Sequence, residues 1–188
     1  ILRDLDLLVP MGALGLVYAA VSVTTVDRAL ARSLEPRAAT PARRIDAIKG
    51  LSAAGVPVTV MVAPIIPALN EPEMERILAT AAAAGATSAG WVLLRLPWEI
   101  KDLFEEWLQT HRPDAAARVM ARVRDMRGGK AYEACWSTRQ RGRGVFATLI
   151  AKRFKLATDR LGLGDPHLEL RTDLFKRPVL AGGQLSLL

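Results

Sequence analysis

Apolar residues recur along this chain in two periods, and the switches between them outline its elements. In residues 1–16, Leu2, Leu5, Leu8 and Met11 fall at helical spacing and predict a helix with those side chains inward. Val17 to Thr25, VYAAVSVTT, reads as a strand ending in hydroxyls. The polar stretch over 26–39 predicts a loop. Thr40 and Pro41 then open a helix over 41–54, one as the cap and the other in the first turn, with Ile45, Ile48 and Leu51 as its apolar stripe. Gly55 closes it, because a left-handed cap suits glycine. VTVMVAPII over 57–66 runs apolar without alternation, as a strand covered on both faces does. Asn70 and Glu73 have the spacing of a capping box for a helix over 71–84, which Gly85 stops. SAGWVLLRL over 88–96 predicts a further strand, ended by Pro97. The spacing from Val21 to Val60 to Val92 is that of successive βα units, so three parallel strands are expected.

Beyond Pro97 the period becomes helical throughout. Ile100, Leu103, Phe104, Trp107 and Leu108 form one stripe, and Val119, Met120, Val123 and Met126 a second. Phe146, Leu149, Ile150, Phe154, Ala157 and Leu161 form a third. Between the second and third lies RGGKAYEACWSTRQRGRG, a Gly- and Arg-rich loop, and the tail from Gly164 has little periodicity. The division expected is 1–100, 101–163 and 164–188: an α/β unit, a helical extension and an extended tail.

With 188 residues the chain can bury one good core. Half its residues are hydrophobic, yet no run predicts a membrane-spanning helix and nothing resembles a signal peptide, so a cytoplasmic location without membrane contact is expected. A single cysteine, Cys135, excludes an internal disulfide and cannot alone hold zinc or an iron–sulfur cluster. The chain opens at Ile1 inside an expected helix with no strand before it, which suggests a fragment lacking roughly the first half of its domain.

Charge divides the chain. Residues 1–100 carry nine Lys/Arg and nine Asp/Glu, whereas residues 101–188 carry seventeen and ten, the whole of the net +7. Within 118–160 there are twelve basic and three acidic residues. Such a patch attracts phosphate backbones, and DNA is the partner it suggests; a solvated helical face accounts for it equally well.

Candidate chemistry gathers at strand ends. Ser22, Thr24 and Thr25 close the first strand, where hydroxyls either contact a ligand or bond neighbouring backbone. Glu35 and Arg37 flank Pro36 and either clamp a zwitterion or form a surface pair. Arg95, in an apolar strand, needs a polar cavity or Glu99 as partner. His111 and His167 are isolated and read as surface residues. Gly128-Gly129-Lys130 and Gly142-Arg143-Gly144 follow no strand and fit no phosphate loop. Trp91, Trp98, Trp107 and Trp136 read as core or rim. No catalytic triad, paired carboxylates or metal cluster assembles from the sequence.

Three segments in order carry a resemblance: VSVTT, then LEPRAATPARRIDAIKGLSAAGVPVTVMVAPIIPALNEPEMERIL, then AGATSAGWVLLRLP with EIKDLFEEWL. Together they resemble the C-terminal half of a radical SAM barrel, closest to bacterial proteins related to spore photoproduct lyase. The likeness covers about residues 1–160. It implies the C-terminal part of a partial (β/α)6 TIM-type barrel, with S-adenosylmethionine and a 4Fe–4S cluster at the strand ends. It also implies reductive cleavage of S-adenosylmethionine to a 5′-deoxyadenosyl radical that abstracts a substrate hydrogen. The family's CxxxCxxC is absent here, so this chain alone is expected to be inactive. Transferred onto this sequence, the resemblance makes Ser22 and then Thr24 the hydroxyls nearest S-adenosylmethionine. Ala63, Pro64, Leu93 and Leu94 would line its adenine pocket. At the other end, Gln184 to Leu188, QLSLL, resembles the peptide that docks on the bacterial sliding clamp, with Gln as polar anchor and leucines as plugs. Two other readings stand beside the radical SAM fragment: a different α/β-barrel metabolic enzyme, or a non-catalytic basic module that binds nucleic acid and the clamp.

Overall fold

The computed structural model describes residues 1–132, 134–136, 138–164 and 169–176. Gln184–Leu188 and His167 lie outside them. After a short 3-10 turn, Leu2–Asp4, the elements are α1 (Leu5–Ala13), β1 (Ala19–Ser22), α2 (Arg28–Leu34), α3 (Pro41–Ala53) and β2 (Val58–Ile65). A 3-10 turn, Glu71–Glu73, leads into α4 (Met74–Ala83), followed by β3 (Ser88–Leu93), α5 (Ile100–His111), α6 (Pro113–Asp125) and α7 (Val145–Leu161). The fold is α/β, with a parallel sheet in the order β1-β2-β3. Among the described residues no helix is long and apolar enough to cross a membrane.

Local chemistry explains most boundaries. Thr40 caps α3 by accepting the Arg43 N–H at 3.4 Å, with Pro41 behind it in the first turn. Gly55 lies at φ 80°, the left-handed conformation expected of it. Two expectations need correction. The polar stretch 26–39 contains α2, capped by Asp27, whose carboxylate accepts from Ala29 and Leu30 N–H. In addition, Leu2 and Met11 are 40% exposed, so only Leu5 and Leu8 of the first stripe pack against the core.

Register divides the sheet into two unlike faces. Val60 lies opposite Val21 and Ala89, and Val62 opposite Trp91. These residues face the helix layer and join Ile48, Leu51, Ile77, Leu78, Ile150 and Phe154 in the main core or pack against it. α7 packs on α4 and thereby belongs to this layer, and Phe154 meets Trp91 with ring centroids 6.0 Å apart. The alternate residues form the other face. Ala20, Thr59 and Ser88 make one row, and Ser22, Met61 and Gly90 the next. Here Ala20 and Ser22 are exposed and Met61, Ala63 and Val92 half-buried. Thr59, Ser88 and Gly90 on that face are buried all the same, so β2, expected to be covered on both faces, is accessible on one only from Met61 onward.

A second core lies beyond the strands' C-terminal ends. Ile66 and Leu96, which follow β2 and β3, pack there against Phe104 and Leu108 of α5 and Val119, Met120 and Val123 of α6. Ile100 and Leu103 of the α5 stripe stay exposed.

Candidate functional site at the ends of the strands

The C-terminal ends of β1 and β2 are locked together by side chains reaching across from the next helix. Asn70, 2% exposed, donates from Nδ2 to the Thr24 carbonyl at 2.7 Å and the Pro64 carbonyl at 2.9 Å. Its Oδ1 accepts the Ile66 N–H at 2.6 Å. Glu73 completes the lock: the Thr25 hydroxyl lies 2.9 Å from both its carboxylate oxygens, and Val26 N–H donates at 2.9 Å. The capping box expected from Asn70 and Glu73 is not formed, because neither side chain caps the helix that follows. Backbone groups leaving β1 and β2 would otherwise be buried without partners, and these two residues satisfy them.

Beside this lock, a cavity of about 170 Å³ opens between α2 and α3. Arg44 holds its wall, donating to the Ser22 carbonyl at 2.9 Å, the Ala39 carbonyl at 3.0 Å and Glu35 at 3.2 Å. Glu35 therefore pairs with Arg44, which is not among the partners expected for it. Arg28 and Arg32 line the same cavity, over Ala31, Ala38 and Ala39.

The residues assigned to a cofactor pocket separate on inspection. Ser22 is exposed on the open face, and Ala63 lies on that face, half-buried. The Thr24 hydroxyl instead donates to the Ala63 carbonyl at 3.2 Å, the backbone-bonding role that stood beside ligand contact. Pro64 contributes its carbonyl to Asn70. Leu93, 2% exposed, belongs to the main core on the helix side, so its side chain cannot share a surface with Ser22. Leu94 follows the strand and packs against the second core. Arg95 reaches the Tyr132 hydroxyl at 3.5 Å rather than Glu99, and its Nε is buried without a partner. Sequence reasoning missed Arg44, the locking role of Asn70 and Glu73, and the 2.6 Å bond between Thr59 and Ser88 buried on the open face.

Several arginines of the basic half are held within the fold. Arg127, 2% exposed, donates to the Leu94, Thr138 and Arg139 carbonyls at 2.8, 3.1 and 2.6 Å. Arg153 bonds Glu71 and spans both Glu75 oxygens, at 2.8 and 2.9 Å. That bidentate contact holds the Glu75 carboxyl below its ordinary value and raises Arg153. Arg122 lies 3.4 Å over Phe146, and Arg139 lies 3.6 Å over Trp136, which is 77% exposed. Trp98 is likewise at the surface, and Trp91 is in the core. His111 is exposed, as expected. Cys135 is exposed, and among the described residues no group of three or more His, Cys, Asp or Glu could hold a metal ion.

The chain is similar to an uncharacterized protein of Mycobacterium tuberculosis, known from two strains, and to one of Mycobacterium bovis, each 34% identical over 118 residues. The matched part is 62% of this chain and 35% of each relative, so the chain spans about a third of their length. No protein-family profile matches the chain, and no solved structure matches it significantly.

Proposed function

We propose that this chain is the C-terminal part of a partial (β/α)6 barrel of the radical SAM type, related to spore photoproduct lyase, and that its open face receives S-adenosylmethionine. One observation carries the reading: a parallel sheet whose second face is left partly open around Ala20, Ser22, Met61 and Ala63. Parallel sheets are stable when both faces are buried, either between helix layers or inside a closed barrel. Here the accessible part of that face presents Ala20, Ser22, Met61 and Ala63, mostly small side chains that leave room for a ligand against the backbone. The strand-end lock and the Arg44 wall stand at the C-terminal edge, where ligands of such folds bind.

The residues fit one of the two groups the reading implies. Ser22 offers an exposed hydroxyl and Ala63 a small half-buried side chain beside it for S-adenosylmethionine, which when bound supplies the 5′-deoxyadenosyl group for radical chemistry. Thr24 acts by fixing Ala63, and Asn70 by fixing both strand ends. The described residues do not fit a 4Fe–4S cluster, since Cys135 stands alone among thiols. Its ligands belong, in this reading, to another part of the protein. The positive 118–160 region supports DNA as the large substrate and Gln184–Leu188 supports sliding-clamp docking, partners in keeping with the proposed cytoplasmic location.

The test uses the whole protein that carries this chain. After anaerobic reconstitution it should hold iron and, given reductant and S-adenosylmethionine, release 5′-deoxyadenosine. Ser22→Tyr, which fills the open face, should abolish that release with iron content unchanged. Absence of 5′-deoxyadenosine from the reconstituted protein, or full activity in Ser22→Tyr, sinks the proposal.

A further inference from the structure

We propose that the cavity between α2 and α3 is a binding site for an organic oxyanion, a carboxylate or phosphate carried on a short apolar body. The argument begins with where α2 places its charges. Arg28 is its first residue, at the positive end of the helix dipole, where acidic side chains are favoured. Arg32 follows four residues later on the same side of the helix, and like charges at that spacing repel. Both line the cavity, both are solvent-exposed, and neither forms an ion pair among the described residues.

The described acids at this cavity and in the lock beside it are committed, while Asp46, which shares a neighbouring cavity with Arg28, does not line this one. Glu35, the only carboxylate lining the cavity, is bonded to Arg44. Asp27 caps α2 with its carboxylate. Glu73 is occupied by Thr25, Val26 and Arg76. The cavity thus combines two uncommitted guanidiniums with a floor of Ala31, Ala38 and Ala39. Two local rules are broken at one place with no ion pair to either arginine among the described residues, as happens at functional sites. Guanidinium groups bind carboxylate and phosphate through paired hydrogen bonds, and the small apolar floor suits the carbon body. The cavity shares Thr24 and Arg44 with the strand-end edge invoked above, but the inference does not depend on that reading, because simple anions suffice to test it.

The experiment follows thermal unfolding of the 188-residue chain with increasing phenyl phosphate or benzoate, ionic strength being held constant with sodium chloride. A saturable rise in Tm with either probe is expected, and the probe that gives it names the anion. Arg32→Gln should weaken apparent affinity about tenfold, the worth of one charge-assisted hydrogen bond. Arg28→Gln with Arg32→Gln should remove the response while leaving the Tm without ligand the same or slightly higher, because both side chains are exposed and their charges repel. A rise no greater than that given by chloride overturns the inference. So does a saturable rise of equal size and midpoint in the double variant.

Discussion

Replacing Asn70 by alanine should cost about 3 kcal/mol of stability. The side chain makes three hydrogen bonds, at 2.6, 2.7 and 2.9 Å, all to backbone groups. Each is worth about 1 kcal/mol net, and the groups left behind have little water to turn to, since Asn70 is 2% exposed. Against a total of roughly 5–15 kcal/mol for a domain, that is a large fraction. Asn70→Asp separates hydrogen bonding from packing. It keeps an acceptor for Ile66 N–H but turns a carboxylate toward the carbonyls of Thr24 and Pro64, so at neutral pH it should cost at least as much as alanine. Burial against carbonyls raises the native pKa of that carboxyl above its unfolded value. The native state then binds the proton more tightly, and the variant should regain stability as pH falls from about 7 to about 5. Urea unfolding followed by circular dichroism gives both quantities, with an unchanged m-value showing that the same transition is measured. A cost under about 1 kcal/mol for Asn70→Ala, or no pH dependence in Asn70→Asp, would refute the lock as a source of stability.

Arg127→Met should cost on the order of 2–3 kcal/mol by leaving the Leu94, Thr138 and Arg139 carbonyls without their donor, and limited trypsin digestion should cut the 139–143 loop faster. The pair of Glu75 with Arg153 should show a coupling of about 1 kcal/mol or less in a double-mutant cycle, since Glu75 is 44% exposed. Glu75's native pKa is depressed, so that coupling is present above the unfolded value and should vanish as pH falls through the native one; a coupling constant into strong acid contradicts the assignment. DNA binding by the 118–160 region should weaken steeply with salt, and Lys130→Gln or Lys152→Gln should each lower the slope by about one unit if the lysine meets a phosphate; a salt-independent affinity removes DNA as the partner.

The βα repeat was legible because its signals are local. Thr40, Pro41 and Gly55 bound α3 through contacts within a few residues, so their spacing alone locates the helix. α2 escaped for an equally local reason: it has seven residues and buries only Leu30, too little to make a periodic stripe. The face of β2 escaped for a different one. Val, Met and Ala are all apolar, so VTVMVA reads as covered on both sides, while burial alternates between Val60 and Val62 inside and Met61 and Ala63 half outside. What covers a face depends on elements elsewhere in the chain, and residue type at that face does not encode it.

The site was less legible than the fold because its contacts are distant in sequence. Asn70 and Glu73 have capping-box spacing, yet their partners Thr24, Thr25 and Val26 lie 46 to 48 residues earlier. Tertiary demand won: the carbonyls leaving β1 and β2 have little other recourse, whereas the first turn of α4 can bond water. The two roles differ in what their loss does. A lost cap frays one helix end by about 1 kcal/mol and leaves the strands in place. A lost lock frees Thr24 and Pro64 together and loosens the edge of the open face on which Ser22 stands. Hydrogen exchange in Asn70→Ala should therefore quicken at Ile66 and in the residues leaving β1, and not at the start of α4 alone. Acceleration confined to α4 would restore the capping role.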